Sequence, residues 1–268
     1  MASWPKLRSF PKKVWGHPLA RGVNVDDGRA LERHRRIVAS NALLRKTYTR
    51  WYKECLPAYE ATRGLQGSIV ELGSGAGFLS RFIPDLITTD VIAGPSIRKV
   101  MDATAFDFPD RTLRAIFMIG CLHHLPRPAN FFAEAERCLV SGGRLVLLEP
   151  NNHSVPQRIL CRLLNHYEHF DETAAWGSGS ANRMSNANLS VAWIMLFRDR
   201  ERFAAEFPSL RILQTRYHTF LGYILSGGMT YRPFVPSSSW PLIAGAELLA
   251  KPMMKWLGSM MTIDMVKL

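Results

Sequence analysis

The stretch Ser68-Ile69-Val70-Glu71-Leu72-Gly73-Ser74-Gly75-Ala76-Gly77-Phe78 decides which fold this chain is expected to adopt. Its first residues are mostly apolar and predict a short buried strand, after which three glycines occur at alternate positions. Residues 79–83 are expected to begin a helix. Because glycine has no Cβ, a strand, a glycine turn and a helix in this order let a nucleotide-like ligand lie against bare backbone.

The spacing of the glycines distinguishes between two kinds of nucleotide site. A dinucleotide-binding fingerprint requires Gly or Ala at the sixth position of GxGxxG, and here that position is Phe78. The chain instead has an acid, Glu71, two residues before the first of three alternating glycines, Gly73, Gly75 and Gly77. This pattern resembles the first motif of the class I S-adenosylmethionine-dependent methyltransferases, in the branch of the type 11 small-molecule enzymes.

Two acidic residues follow at positions that suit a nucleotide site. Leu86–Val91 is typical of a second strand, and Asp90 lies near its end, 17 residues after Gly73. A carboxylate there is placed to accept hydrogen bonds from ribose hydroxyls. The resemblance implies that Asp102 and Ala103 border the adenine, while a simple turn is the alternative for Asp102.

Two later segments match the same family in the same order. Residues 115–120 are typical of a buried strand and are followed by Cys-Leu-His-His-Leu at 121–125. Residues 137–150 contain the pattern Arg-x-Leu, Gly-Gly and a terminal Glu-Pro. One position departs from the family, because Leu113 and Arg114 stand where small-molecule members usually have an aspartate.

The predicted fold is α/β, with a Rossmann-like, seven-stranded, mostly parallel sheet and helices on both faces. Residues 1–63 are expected to form a basic arm and a helical cap, the cap being a single amphipathic stretch over 29–63. In that stretch an arginine or tyrosine could reach the cofactor, or its aromatic face could simply pack in the core. Residues 64–268 are expected to form the methyltransferase domain.

Two substrate-side insertions are predicted, at 151–197 and 219–258. The second precedes the last strand, where the resembled fold has a simple hairpin. It contains an apolar helix with Glu247, Lys251 and Lys255 on one line, and Pro252 is expected to kink or divide that helix. The wide apolar face could dock on a membrane or bind a lipid carrier, and burial in the core is the favoured alternative.

The resemblance implies S-adenosylmethionine as the cofactor. Methyl transfer from its sulfonium requires alignment of donor and acceptor and exclusion of water. The residues expected to bind the cofactor are Glu71, Gly73, Ser74, Gly75, Gly77, Asp90, Val91, Asp102, Ala103 and Gly120.

A hydroxyl acceptor would also need a general base, because its own pKa lies far above 7. The candidate histidines are His124, His153, His166 and His169, with Glu149 and Asp171 as candidate carboxylates. For any single histidine a structural role is the alternative. A metal ion is not expected, because the spacing in His166-Tyr167-Glu168-His169 matches no familiar zinc or iron pattern.

Composition limits the class of protein. A chain of 268 residues with 47% hydrophobic residues can bury the core of one decorated α/β domain. Its four cysteines form no CxxC pair and are expected to be reduced thiols, and its N-terminus has no apolar run typical of a secretory signal. A cytoplasmic location follows, with contact at the inner face of a membrane left open.

The positive charge is concentrated at the N-terminus, where residues 1–63 carry +9 of the total net charge of +12. Such a segment suits a phosphorylated substrate, an acidic membrane surface or a nucleic acid, or it is a solvated helix face.

The expected acceptor is an oxygen of a sugar, glycolipid or polysaccharide intermediate. The Asn/Asp-Pro-Pro-Tyr motif that clamps amino groups is absent after 115–120, and no Pro-Cys motif for pyrimidine methylation occurs. The C-terminal third more loosely resembles methyltransferases of bacterial polysaccharide and glycolipid biosynthesis. A quinone- or polyketide-like small molecule, methylated on oxygen or carbon, is the first alternative. An RNA-modifying or nucleic-acid-binding protein and an inactive scaffold are the others.

Overall fold

The computed structural model describes residues 15–20, 29–163, 168–177 and 187–268. Their central element is a seven-stranded sheet, in agreement with the prediction. Its strands in chain order are β1 (Ser68–Leu72), β2 (Leu86–Asp90), β3 (Lys99–Val100), β4 (Leu113–Ile119), β5 (Leu139–Pro150), β6 (Leu210–His218) and β7 (Met260–Lys267). Their spatial order is β3-β2-β1-β4-β5-β7-β6.

The first five strands run parallel, and the last two add an antiparallel hairpin. Strand β1 pairs with β2 and β4, and β4 pairs with β5, all in parallel register. Strand β7 pairs antiparallel with both β5 and β6. Met260, the first residue of β7, pairs both with Pro150 at the end of β5 and with His218 at the end of β6. The segment between β6 and β7 therefore begins and ends at the carboxyl edge of the parallel strands.

Both faces of the sheet are buried, as expected for strands that read as continuous apolar runs. Ile69, Phe117 and Val146 face a cluster that includes Tyr52 and Leu79. The residues next to them along the strands face the opposite side of the sheet. There they join a larger apolar cluster, which includes the ring pair Phe132 and Phe203.

The helices cover these faces and the carboxyl edge. They are α1 (Arg29–Ser40), α2 (Ala42–Ala61), α3 (Pro128–Cys138), α4 (Val155–Leu163), α5 (Val191–Trp193), which continues into a π-turn Ile194–Arg198, α6 (Arg200–Glu206), α7 (Gly222–Ser226), α8 (Trp240–Leu249) and α9 (Met254–Leu257). Among the described residues, none of these helices combines the length and the apolar character needed to cross a membrane.

Two expected helices differ in the structure. The single stretch over 29–63 is two helices, because Asn41 ends α1 and caps α2, where its Oδ1 accepts from Leu44 N at 3.0 Å. Its Nδ2 also donates to Ser226 O at 2.8 Å, which fixes the junction against α7. The helix expected from residue 79 is only a 3-10 turn, Leu79–Arg81.

The segment between β6 and β7 contains the largest correction. Pro252 does divide the predicted apolar helix, since α8 ends at Leu249 and a 3-10 turn, Lys251–Met253, leads into α9. The favoured expectation is that the apolar face of this helix is buried in the core, and α8 has the reverse orientation. Glu247 is buried, accepts from Leu221 N at 2.8 Å and Gly222 N at 2.9 Å, and pairs with Arg50. Consequently the apolar face points outward.

Candidate active site

The glycine turn and the end of β2 lie against each other. Gly75 N donates a hydrogen bond to Asp90 Oδ2 at 3.0 Å, and Ile92 N donates to Asp90 Oδ1 at 3.0 Å. Below them Ser74 N donates to Thr89 O at 2.8 Å. The Asp90 carboxylate therefore faces the turn, and each of its oxygens keeps acceptor capacity for a further donor.

The four glycines of the predicted site fall into two kinds. A Cβ atom at Gly73 would lie 2.4 Å from Cys121 Sγ, and one at Gly77 would lie 2.8 Å from Tyr52 Oη. At these two positions protein atoms fill the space that a side chain would need. Gly75 and Gly120 have positive φ, as Gly73 does, at 51° and 60°, but among the described residues no atom beyond the chain neighbours lies within 3.5 Å of either Cβ position. These two leave space where a ligand could approach the backbone.

Glu71 is the unusual group of this region. Its side chain is buried beside the turn, with Oε1 3.7 Å from the Cβ position of Gly77. Among the described residues, none donates a hydrogen bond to its Oε2. Burial, with a smaller effect of Asp90, raises the pKa of Glu71 to about 8, and a hydrogen bond from the Ser74 side chain opposes this rise. A buried carboxyl oxygen that lacks a donor is costly, and a cationic group lying along the turn would supply one.

Two tyrosines of α2 cover the turn. Tyr52 Oη accepts a hydrogen bond from Phe78 N at 2.9 Å, and the Tyr48 ring stacks on that of Phe78 with centroids 6.3 Å apart. Burial raises the pKa of both tyrosines, so they remain neutral. Of the two, Tyr52 contacts the turn backbone directly.

The remaining predicted cofactor residues differ in their surroundings. Asp102 Oδ1 accepts from Thr104 N and Thr104 Oγ1, both at 2.8 Å, which is the geometry of a turn residue. Ala103 is buried in the larger apolar cluster. Val91 is half exposed next to Asp90.

A buried carboxylate organises the turn after β4. Glu149 Oε1 accepts from Cys121 N and Leu122 N, both at 2.9 Å, and Oε2 lies 2.5 Å from His123 Nδ1. Burial alone would lower the pKa of His123, but the Glu149 carboxylate outweighs this effect, and the net direction is upward. The end of β5 therefore fixes the backbone and the ring at positions 121–123.

The structure brings a second carboxylate to this turn. Glu168 Oε1 lies 3.8 Å from His123 Nε2 and 3.9 Å from His124 Nε2, and the two imidazole centroids are 4.1 Å apart. Among the described residues, these three are the group of histidines, cysteines and acids that could hold a metal ion. We call His123, His124 and Glu168 the histidine cluster. The sequence places His123 and His124 in the family motif at 121–125, names only His124 among the candidate bases, and gives no sign that Glu168 lies beside them.

The other candidate bases are dispersed. His153 is half-buried in the turn after β5, edge-on to Trp193 and Tyr217, and burial together with Lys255 lowers its pKa. His169 is exposed and pairs through its backbone with residues 187–189. His166 lies outside the described residues.

An exposed apolar surface lies on the segment that joins β6 to β7. Its members are Leu242, Leu248 and Leu249 of α8, Met253, and Trp256 of α9, and Leu249 is 85% exposed. Lys251 and Lys255 are exposed among them, and Glu247, the acid of this segment, is turned inward. We call this set the apolar surface.

Part of the chain matches a known family model. Residues 70–147 match the family model described as "Methyltransferase domain". This range contains the glycine turn, Asp90 and the turn after β4. No curated protein sequence matches the chain.

Several solved structures are similar to the chain at low identity. A methyltransferase from Archaeoglobus fulgidus that depends on S-adenosylmethionine (SAM) is 13% identical, with TM-score 0.48 and coverage of 82% of this chain and 94% of that chain. One from Mesorhizobium loti is 13% identical, with TM-score 0.44 and coverage of 80% and 97%. Geranyl diphosphate C-methyltransferase from Streptomyces coelicolor A3(2) is 12% identical, with TM-score 0.44 and coverage of 95% and 91%. Similarity at this level carries no conclusion about the acceptor.

Proposed function

We propose that this enzyme methylates an oxygen of a sugar in a glycolipid or polysaccharide intermediate. The premise is that residues 70–147 form a methyltransferase domain of the class I, S-adenosylmethionine-dependent type. The cofactor is S-adenosylmethionine. The domain division goes with this proposal, with residues 1–63 as arm and cap and the segments 151–197 and 219–258 on the substrate side.

One observation carries the proposed donor site. The Asp90 carboxylate faces the open Gly75, and the buried Glu71 Oε2 has no donor among the described residues beside the same turn. A donor ligand with two ribose hydroxyls and an ammonium group fits these needs: Asp90 would accept from the hydroxyls and Glu71 from the ammonium. Asp102 and Ala103 would border the adenine, and Gly120 would leave room beneath the reacting centre.

The chemistry requires alignment and removal of one proton. Bound S-adenosylmethionine supplies a methyl group already activated by its sulfonium. As the methyl carbon bonds to the acceptor oxygen, the carbon–sulfur bond breaks with its electron pair going to sulfur, and the hydroxyl proton leaves. Tyr48 and Tyr52 would help to keep water from the donor, since their rings cover the turn.

Two histidines are the strongest candidates to accept that proton. His124 lies in the turn that follows the open Gly120, and His153 lies in the turn that follows β5. The lowered pKa of His153 favours the neutral imidazole that a base needs at pH 7. His169 is a weaker candidate because its side chain is exposed, and His166 stays a candidate outside the described residues.

The apolar surface supports a lipid-linked acceptor. It lies on the segment that begins and ends at the carboxyl edge, where the donor site also lies, and its lysines complement anionic headgroups. Exposed Leu, Met and Trp with flanking Lys are typical of interfacial helices. We therefore propose that the enzyme contacts the inner face of a membrane while the acceptor's lipid remains in it.

Vesicle sedimentation tests this contact. We expect binding to vesicles that contain anionic lipid, weaker binding to zwitterionic vesicles, and loss of binding in Leu249→Glu with Trp256→Glu. Leu213→Glu is the matched control, because Leu213 is exposed on β6 outside the apolar surface. Equal binding by the double variant and the control would contradict the proposal.

The function itself is tested with a labelled donor. Calorimetry should first give one S-adenosylmethionine per chain. Incubation of the enzyme with methyl-labelled donor and extracted lipid, polysaccharide or nucleic acid should then label the lipid or polysaccharide fraction. Label in a lipid-free small-molecule fraction would favour the quinone- or polyketide-like alternative. Label in RNA, with affinity falling steeply with salt, would favour the nucleic-acid alternative.

A further inference from the structure

We propose that the histidine cluster is a binding site for a divalent cation of the zinc type. His123 Nε2, His124 Nε2 and Glu168 Oε1 would be its three protein ligands. The inference deepens the proposed function, on which its catalytic part rests, whereas ion binding can be measured without donor or acceptor.

The distances within the cluster suit an ion between the groups better than direct hydrogen bonds. Glu168 Oε1 lies 3.8 and 3.9 Å from the two imidazole nitrogens, beyond the range of about 2.7–3.2 Å for such a bond. All three ligand atoms lie within 4.8 Å of one another. A tetrahedral ion with bonds of about 2.0–2.1 Å separates its ligands by about 3.4 Å, so the Glu168 oxygen would approach each nitrogen by about half an ångström. The widest pair of ligand atoms, at most 4.8 Å apart, would close by up to about 1.4 Å.

The orientation of His123 points to the same occupant. Its Nδ1 lies 2.5 Å from Glu149 Oε2, and Glu149 is itself held by Cys121 N and Leu122 N. In the neutral ring, with its proton on Nδ1 donated to Glu149, the lone pair of Nε2 lies on the atom that is 3.8 Å from Glu168 Oε1, so two acceptors are close together. A cation between them relieves that repulsion. A carboxylate that orients a histidine ligand through its other nitrogen is the usual outer shell of a metal site.

The chemistry of the ligands selects the kind of ion. Two imidazoles and one carboxylate favour borderline ions such as Zn²⁺ or Co²⁺ over Mg²⁺ or Ca²⁺, which prefer oxygen ligands. Three protein ligands leave the fourth tetrahedral position for an exchangeable oxygen, as catalytic zinc sites do.

The place of the cluster relative to the donor turn suggests what that oxygen is. Cys121, two residues before His123, packs its sulfur against Gly73 of the donor turn. An acceptor hydroxyl on the fourth position would therefore lie near the proposed donor site, and the ion would lower its pKa. The proton would then go to His153 rather than to His124, which is occupied as a ligand. No oxidation or further reactant is involved.

Calorimetric titration of the chelator-treated full-length chain with Zn²⁺, repeated with Co²⁺ and visible absorption, tests the site. We expect one ion per chain and absorption typical of tetrahedral Co²⁺. Loss of an outer-shell partner alone typically weakens metal binding by about 10–100-fold, so Glu168→Gln and His124→Gln should each weaken it by at least about tenfold. His153→Gln and Glu172→Gln are matched controls outside the cluster and should bind the ion as the wild type does.

The results separate this inference from the proposed function. Absence of stoichiometric binding, or equal binding by the ligand variants and controls, would overturn the metal site, and a proton on His123 Nε2 would then be the occupant. Full methyl transfer by the chelated enzyme would overturn the catalytic part. Donor binding measured on the same samples reports on the donor site, and its failure would leave the ion titration intact.

Discussion

Replacement of Glu71 by Gln should make the ligand-free protein more stable and the donor complex weaker. Both effects follow from a carboxyl that is buried with one oxygen lacking a donor among the described residues. Gln has nearly the same shape and carries no charge, so the variant changes the ionisation of the site and little else.

The size of the stability change follows from proton linkage. The pKa of Glu71 is about 8 in the folded protein and 4.5 in the reference state, so between these values the folded protein binds more protons than the unfolded chain. Unfolding is therefore increasingly favoured as pH rises from about 4.5 to 8. At 1.36 kcal/mol per unit, this linkage removes about 3 kcal/mol of stability by pH 7, and Glu71→Gln should restore it.

The donor complex should respond in the opposite direction. An ionised Glu71 can accept a charge-assisted hydrogen bond from an ammonium group, and such bonds contribute about 1.5–3 kcal/mol. Loss of this bond should weaken donor binding by roughly 10–150-fold. In the wild type, affinity should rise with pH toward 8, because binding then requires less proton release from Glu71. In the variant this dependence should disappear.

Urea unfolding at several pH values and calorimetry with S-adenosylmethionine measure the two effects. Glu60→Gln is the matched control, since its exposed ion pair with Arg63 contributes at most about 1 kcal/mol. The wild type and Glu71→Gln should have equal stability near pH 4 and diverge above it. A variant that is no more stable at pH 7 would refute the buried neutral carboxyl. Unchanged donor affinity would remove Glu71 from the donor site.

Three further changes test other parts of the site. Asp90→Ala should weaken donor binding by about 1–3 kcal/mol in calorimetry, because the ribose hydroxyls lose an acceptor, and unchanged affinity would exclude Asp90. Glu247→Ala should lower the free energy of unfolding by about 3 kcal/mol in urea, because Arg50 and two backbone N–H groups lose their acceptor, while Glu206→Ala should change it little. His153→Gln should reduce methyl transfer by about 100-fold or more and abolish the fall in rate expected of the wild type below pH 6.5, whereas a retained fall would assign it to another group.

The sheet and its glycine turn were predictable because their signals are local. β1, β2 and β4 appear as apolar runs that end in or are followed by Gly or Asp, and each lies within a few residues of its expected position. The approach of Asp90 to Gly75 followed from the parallel order of β1 and β2, which brings the ends of both strands to one edge.

Features that depend on contacts between distant residues were not predictable. Nothing near Glu168 in sequence indicates that it meets His123 and His124 across more than forty residues. Likewise, periodicity gave α8 one charged line and one apolar face but could not decide which of them is buried. Arg50 and the N–H groups of Leu221 and Gly222 decide it by binding Glu247.

The inward turn of Glu247 links the apolar surface to the proposed site. A buried carboxylate at that position forces the leucines of α8 outward, which costs hydrophobic burial of roughly 1.5–3 kcal/mol for each leucine left in water. The same carboxylate holds the start of α7, which packs against the cap helix α2 that carries Tyr48 and Tyr52. Insertion of the apolar surface into lipid would recover the lost burial at the edge of the sheet where acceptor and donor must meet. The position of Glu247 thus supports the proposal that the enzyme works with its carboxyl edge toward a membrane.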